Sequence, residues 1–217
     1  MTVLSEWGTY FPQLLQGLLV SLRLAAISLG VGIPIGLALA IANGSGGRVV
    51  RSVAVVLVEI GRGMPALVML QLVYFGLPSL GVSFASFTAA ALGLTLTTAA
   101  YTSEIIRGGL QSVPAGEVEA AEALNMSRFD TLRFIVIPQG MRVAVPSLMG
   151  FSILIFQGTA LAYTIALPEL LATAYSIGSS TFRYLSVLTL AGFMYVAITV
   201  PMSMLTERVE LRLSRHL

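Results

Sequence analysis

Apolar positions along this chain gather into long uninterrupted stretches instead of the alternating or three-in-seven patterns of a soluble core. Charge-free runs occupy 24–47, 63–103, 143–168 and 184–206. Each reaches the roughly 20 residues that a helix needs to cross about 30 Å of hydrocarbon. The run at 63–103 is long enough for two spans, because FGLPSLGVSF (75–84) places turn residues near its middle. The pattern predicts an all-α integral membrane protein with five transmembrane helices, at 18–42, 52–76, 85–108, 140–165 and 184–206. One transmembrane domain then covers residues 1–217.

Local signals refine these spans. GTYFPQLLQG (8–17) reads as a short amphipathic lead-in at the outer interface, with Trp7 and Tyr10 as aromatic anchors. Gly30, Gly32 and Gly36 in the first span permit close helix packing. GSGG (44–47) reads as a tight turn. Pro65 should break or kink the second span, and Pro146 and Pro201 mark kinks in the fourth and fifth.

Composition agrees with the pattern: 56% of residues are apolar and only 10% charged. With no lysine, orientation rests on the twelve arginines. Nine of them (Arg48, Arg51, Arg107, Arg128, Arg133, Arg142, Arg208, Arg212 and Arg215) fall at or near one face. Only Arg183 lies in a loop on the other, and Arg23 and Arg62 lie inside spans. The arginine-rich face is expected to be cytoplasmic, which puts the amino terminus outside and the carboxyl terminus inside. The start MTVLSEWGTY lacks the basic region of a cleaved signal peptide. The absence of cysteine excludes disulfides and thiolate metal sites, and one histidine, His216, leaves no basis for a histidine triad or metal cluster. No metal site and no nucleic-acid partner are expected.

Charge reappears in an internal loop, about 109–138. Eight of the 22 charged residues lie between Glu104 and Arg133. Pro114 suits a helix start, and Glu117 and Glu119 complement the positive end of its dipole. Asn125 tolerates the left-handed conformation that ends a helix. Ser127 is placed to cap a second helix, with Asp130 three residues on. The loop should therefore form helix, sharp turn, helix. Its first helix is shorter than the ~12–15 residues needed for stability alone in water. Glu119 and Glu122 are like charges at i, i+3, so the helix requires a partner surface. A solvated connector is the plainer alternative on composition alone.

The order of residues bears on that choice. Glu119-Ala120-Ala121, three more residues, Asn125, nine more, then Ile135, one residue and Ile137-Pro138 resemble the EAA loop of ATP-binding-cassette (ABC) importer permeases. The family form has glycine at the place of Asn125 and usually leucine at that of Ile137. EIGRGMPALVMLQLVYFGLP (59–78), AAYTSEIIRGGLQSVPAGEVEAAEALNMS (99–127) and IPQGMRVAVPSL (137–148) are similar to the polar amino acid branch of that family. The resemblance covers about residues 12–213. It implies a bacterial plasma-membrane permease for polar amino acids, paired with an identical or homologous permease. It further implies a cytoplasmic ABC ATPase dimer and a periplasmic or tethered solute-binding protein. Glu117, Glu119, Ala120, Ala121 and Asn125 would then meet the ATPase. Without lysine this chain holds no P-loop, so ATP and Mg are expected on the partner ATPase and no enzymatic site here.

Polar residues within spans complete the reading. Charges near a bilayer centre cost about 2.5–3.5 kcal/mol each on insertion scales and usually face protein or water. Glu59 with Arg62, and Glu104 with Arg107, form i, i+3 pairs that read as structural or gating elements. Gln71, Tyr74, Thr97, Thr98, Tyr101, Gln157, Thr159 and Tyr163 are the uncharged candidates for a substrate path, although such residues in spans more often bond backbone carbonyls. A frequent K-[DN]-[TS]-[SA]-L element of the resembling family appears here as Gln157-Gly158-Thr159-Ala160-Leu161, which removes a fixed charge. The alternative is an ion-coupled secondary transporter; Glu59 and Glu104 are the acidic candidates it would need, and no inverted repeat supports it.

Overall fold

The structure, a computed structural model, describes residues 3–213; Arg215 and His216 lie outside that range. Every regular element among the described residues is helical. The main helices are α1 (Val3–Asn43), α2 (Arg48–Gly63), α3 (Ala66–Gln71) and α4 (Ser86–Gln111). They are followed by α5 (Ala115–Ala123), α6 (Arg128–Thr131), α7 (Ile137–Gly158), α8 (Leu170–Thr181) and α9 (Tyr184–Leu213).

Three continuous helical stretches have the length and apolar character to cross a membrane: Glu6–Asn43, Arg128–Ile165 and Tyr184–Leu213. The second span, expected at 52–76 with a break or kink at Pro65, is broken there. Arg48–Gly63 and Ala66–Leu80 meet at a bend of 102°. Pro65 has no N–H to donate, and Met64 before it is extended, at φ −91° and ψ 125°. The expected separate lead-in at 8–17 is also absent, because α1 runs through it without a break. At about 1.5 Å per residue this 41-residue helix is roughly twice as long as the hydrocarbon is thick. Its first turns are held by α9: the Trp7 indole N–H donates to the Ser186 carbonyl (3.2 Å), and its ring meets Phe193 at 5.4 Å.

α1 is the central post of the fold. Leu14, Leu18 and Ala25 join α8 and α9 in one core, where Val187 and Leu190 are buried. Leu24 joins Leu70, Ala90 and Leu94 of α3 and α4 in a second. Ala40 joins Ile106, Ala144 and Leu148 of α4 and α7 in a third. α4 is the most enclosed of the long helices and the richest in threonine. Thr97, Thr98 and Thr102 donate to the carbonyls of Gly93, Leu94 and Thr98, four residues back. Such bonds let hydroxyls enter an apolar interior without losing a partner.

The α1–α4 approach depends on missing side chains. A Cβ added at Gly32 would lie 2.6 Å from the Thr98 side chain and 3.1 Å from the Thr95 carbonyl oxygen. One at Gly36 would strike the Thr102 hydroxyl. Gly30 faces open space. Gly32→Ala should lower the melting temperature of the purified protein, at a cost of roughly 1–3 kcal/mol from overpacking. Gly30→Ala should hold or raise it, since alanine is the better helix former by about 1 kcal/mol. Thermal unfolding of the two variants in one detergent checks the contrast.

Candidate functional site

The polar loop folds as a short helix, a left-handed stop and a capped restart. α5 follows Pro114, carries Glu117 in its first turn, and has no basic residue in its last. Asn125 sits at φ 55°. The Asn125 N–H donates to the Glu122 carbonyl (2.9 Å) and the Met126 N–H to the Ala121 carbonyl (3.1 Å). This pair of bonds closes a Schellman motif, which satisfies the carbonyls that a helix end would leave bare. The Asp130 N–H then donates to the Ser127 hydroxyl (3.1 Å), which donates in turn to the Asp130 carboxylate (2.6 Å). From there a wider π turn, Leu132–Val136, leads straight into α7.

Within α5, Ala121 is buried against the restart while Glu117, Glu119, Ala120 and Glu122 face outward, as does Asn125 beyond it. The same loop exposes large apolar side chains. Leu124, Phe129 and Phe134 are 77%, 65% and 60% exposed. Sequence reasoning about charge passed over these three, although an exposed apolar cluster is the stronger mark of a contact surface. Beneath the loop a cavity of about 520 Å³ is lined by Asn43, Ser45, Arg107, Gln111, Arg128 and Phe129, among others.

The two charge pairs expected within single helices form one chain between helices. Arg62 lies 3.6 Å from Glu59 and 3.4 Å from Glu104. Glu104 receives two bonds from Arg107, at 2.9 and 2.8 Å, and Arg107 also donates to Gln111 at 2.9 Å. The Tyr101 hydroxyl donates to the Arg62 carbonyl (3.3 Å), and its ring stacks on Phe151 of α7 at 5.5 Å. Together these contacts tie the C-terminal end of α2 to α4 and α7.

The remaining substrate-path candidates divide by exposure. Thr97, Thr98 and Thr159 are buried, and their hydroxyls donate to backbone carbonyls of the same chain stretch. Gln71, Tyr101, Gln157 and Tyr163 present polar atoms at the surface, while Tyr74 is half-buried against Phe75. Tyr163 heads a run of rings, 5.1 Å from Tyr175, which is 5.4 Å from Tyr184. It also lines a cavity of about 680 Å³ together with Gln13, Thr164, Thr173 and Ser176.

Two features of the region around that cavity were not foreseen. Residues 170–181, between the spans expected at 140–165 and 184–206, form α8. And Glu169, absent from the acidic candidates near spans, is the carboxylate that the structure buries completely. Its Oε1 accepts from the Ala172 N–H (2.7 Å); its Oε2 accepts from the Leu171 N–H (2.9 Å), the Ser21 hydroxyl (3.3 Å) and the Tyr195 hydroxyl (3.2 Å). Burial pushes this carboxyl above its ordinary range, and its four donors hold it back. Glutamate is not among the preferred N-cap types, so neither the helix nor the role was signalled.

The interhelical ion chain yields a test. Arg62→Gln should cost less than about 1 kcal/mol, as for other half-exposed pairs. Glu104→Ala should cost more, about 1–3 kcal/mol, because it leaves two arginines without their shared acid. A double-mutant cycle on Glu104 and Arg107, read by thermal unfolding, measures the coupling.

Comparison with known proteins places this geometry. A family model described as the inner-membrane component of binding-protein-dependent transport systems matches residues 32–215. The nopaline transport system permease protein of Agrobacterium fabrum is 40% identical, over 95% of this chain and 90% of its own. The Escherichia coli glutamine transport system permease protein is 31% identical, over 96% and 97%. A crystal structure of an amino acid ABC transporter with histidines superposes with a TM-score of 0.90 at 32% identity, covering 98% of this chain and 99% of that one. The chain therefore belongs to the family of inner-membrane components of binding-protein-dependent transport systems, as a multi-pass protein of the plasma membrane.

Proposed function

We propose that this chain is a permease subunit of an ATP-driven importer of polar amino acids and forms half of the translocation pathway. In this reading loop 109–138 seats on a separate cytoplasmic ATPase, where ATP and Mg bind. A second permease, identical or homologous, completes the path, and a solute-binding protein delivers substrate from outside. The five-span topology, with the amino terminus outside, belongs to the same proposal. The relatives named for glutamine and nopaline transport support the substrate class.

The observation that carries the reading is the form of α5. It is a nine-residue helix, too short to persist unaided, with three outward glutamates, in a loop that also exposes Leu124, Phe129 and Phe134. Its end is locked by the Asn125 turn, and the chain continues from the Ser127 cap into the span that ends at Ile165. A push on α5 has a continuous helical route into the membrane. ATP binding would close the ATPase dimer, α5 would carry that movement, and the permease pair would exchange inward for outward openings. The carboxamide of Gln157, exposed near the end of α7, suits a zwitterionic amino acid better than one needing a fixed counter-charge.

Glu119→Lys should leave membrane insertion at the normal level and reduce ATP-dependent uptake at least ten-fold, since it reverses charge on the docking helix. Uptake of glutamine, arginine and nopaline by vesicles holding the whole complex measures this. Normal uptake at normal expression would remove Glu119 from the coupling surface. Uptake driven by an ion gradient without any ATPase would favour the secondary-transporter reading.

Topology has its own test, made clean by the absence of native cysteine. Gly46→Cys, exposed in the α1–α2 turn, should react in intact cells only with membrane-permeant thiol reagents. Ser79→Cys, in the loop before α4, should react with impermeant ones. The reverse pattern would invert the orientation and place loop 109–138 outside.

A further inference from the structure

Glu169 stands where the outer connector between α7 and α9 meets two spans. Before it, the helix after Thr159 ends at Ala166, whose φ of 57° turns the chain back. The Leu167 N–H donates to the Ala162 carbonyl (3.2 Å) and the Ala166 N–H to that of Tyr163 (3.1 Å). After it, α8 begins, and the Glu169 carboxylate caps the first amides of that helix. The same carboxylate accepts from Ser21 of α1 and Tyr195 of α9. Ser21, itself fully buried, also accepts from the Leu170 N–H (3.2 Å). α1 presses directly on this point: a Cβ at Gly17 would lie 2.7 Å from the Thr173 hydroxyl and 2.9 Å from the Glu169 carbonyl oxygen.

Four donors meet one carboxylate, three of them on Oε2, and among the described residues no cation pairs with it. Capping alone would not require burial or partners on two other helices. Shorter Asp, Asn, Ser and Thr cap more readily. What glutamate adds is reach, from the connector to α1 and α9 at once. The residues flanking it, Leu167, Pro168, Ala172 and Thr173, form the wall of the Tyr163 cavity.

We infer that Glu169 is a positioning residue for transport: by tying the connector to the first and last spans, it sets the shape of the Tyr163 cavity on the substrate's path. This inference rests on the importer reading above. The tie makes α1, α8 and α9 move as one body at the outer face, so that cavity and spans change together when the permease switches.

The test separates the tie from the cap in the complete permease–ATPase–binding-protein complex in liposomes. Glu169→Asp keeps a good capping residue but is one methylene short of Ser21 and Tyr195. Glu169→Gln keeps the length and removes one acceptor. Tyr195→Phe removes one arm of the tie alone. Each should raise KM for amino acid uptake, by about three- to ten-fold per lost hydrogen bond, at an unchanged amount of folded complex. In a Ser176→Cys background, the thiol on the cavity wall should change its labelling rate by a similar factor, while Gly46→Cys does not. Wild-type KM and wild-type Ser176→Cys labelling in both Glu169→Asp and Glu169→Gln would overturn the inference. So would losses that track the amount of folded complex, with both readouts otherwise unmoved. If the unsubstituted complex imports no amino acid, the importer reading fails; the labelling comparison, which needs no transport, still decides whether Glu169 sets the cavity wall.

Discussion

Two helix backbones held at close range support everything else in this molecule. Gly32 and Gly36 of α1 lie under Thr98 and Thr102 of α4 with no room for a methyl group between them. In lipid no apolar effect drives one helix against another, so dispersion at short range and satisfied hydrogen bonds have to do it. Glycines let the backbones close, and Thr97, Thr98 and Thr102 bring hydroxyls into α4's buried face by donating to their own helix. With that pair fixed, α1 offers its other faces to three separate cores, and α2, α3, α7, α8 and α9 assemble around it.

The two ends of this post are built on different physics. At the α5 end polar groups are exposed and the fold leaves a surface unfinished: three glutamates, three bare apolar side chains, and a helix too short for its own stability. The ion chain Glu59–Arg62–Glu104–Arg107 sits beside this surface in half-exposed positions. Its worth lies less in stability than in fixing how α2 stands on α4. At the Glu169 end the polar groups are consumed internally. Glu169, Ser21 and Tyr195 satisfy one another, and an unpartnered carboxylate there would be costly.

Tyrosine connects the two kinds of end. Tyr101 bridges α2, α4 and α7 through one hydroxyl and one stacked ring, and Tyr163 opens a row of rings that reaches the start of α9 through Tyr184. Each offers an apolar body to the spans and a polar tip to a cavity or a carbonyl, which is why such residues recur along this fold's polar surfaces.

Much of this was legible in the chain itself, wherever the cause is local. Long charge-free runs dictate membrane helices because a bilayer admits few other backbones. Pro65 dictates a break because it lacks a donor, and Asn125 and Ser127 dictate a stop and a restart because their side chains suit those backbone positions. The order of residues from Glu119 to Pro138 carried the family resemblance for the same reason. What the sequence did not determine are features made by distant partners. A straight lead-in continuous with α1 required Ser186 and Phe193; the joining of two intrahelical charge pairs required α2 and α4 to lie side by side. α8 and the burial of Glu169 exist because Ser21 and Tyr195, 148 and 26 residues away along the chain, arrive at the same point. No local pattern encodes that meeting, so only the tertiary structure decided it.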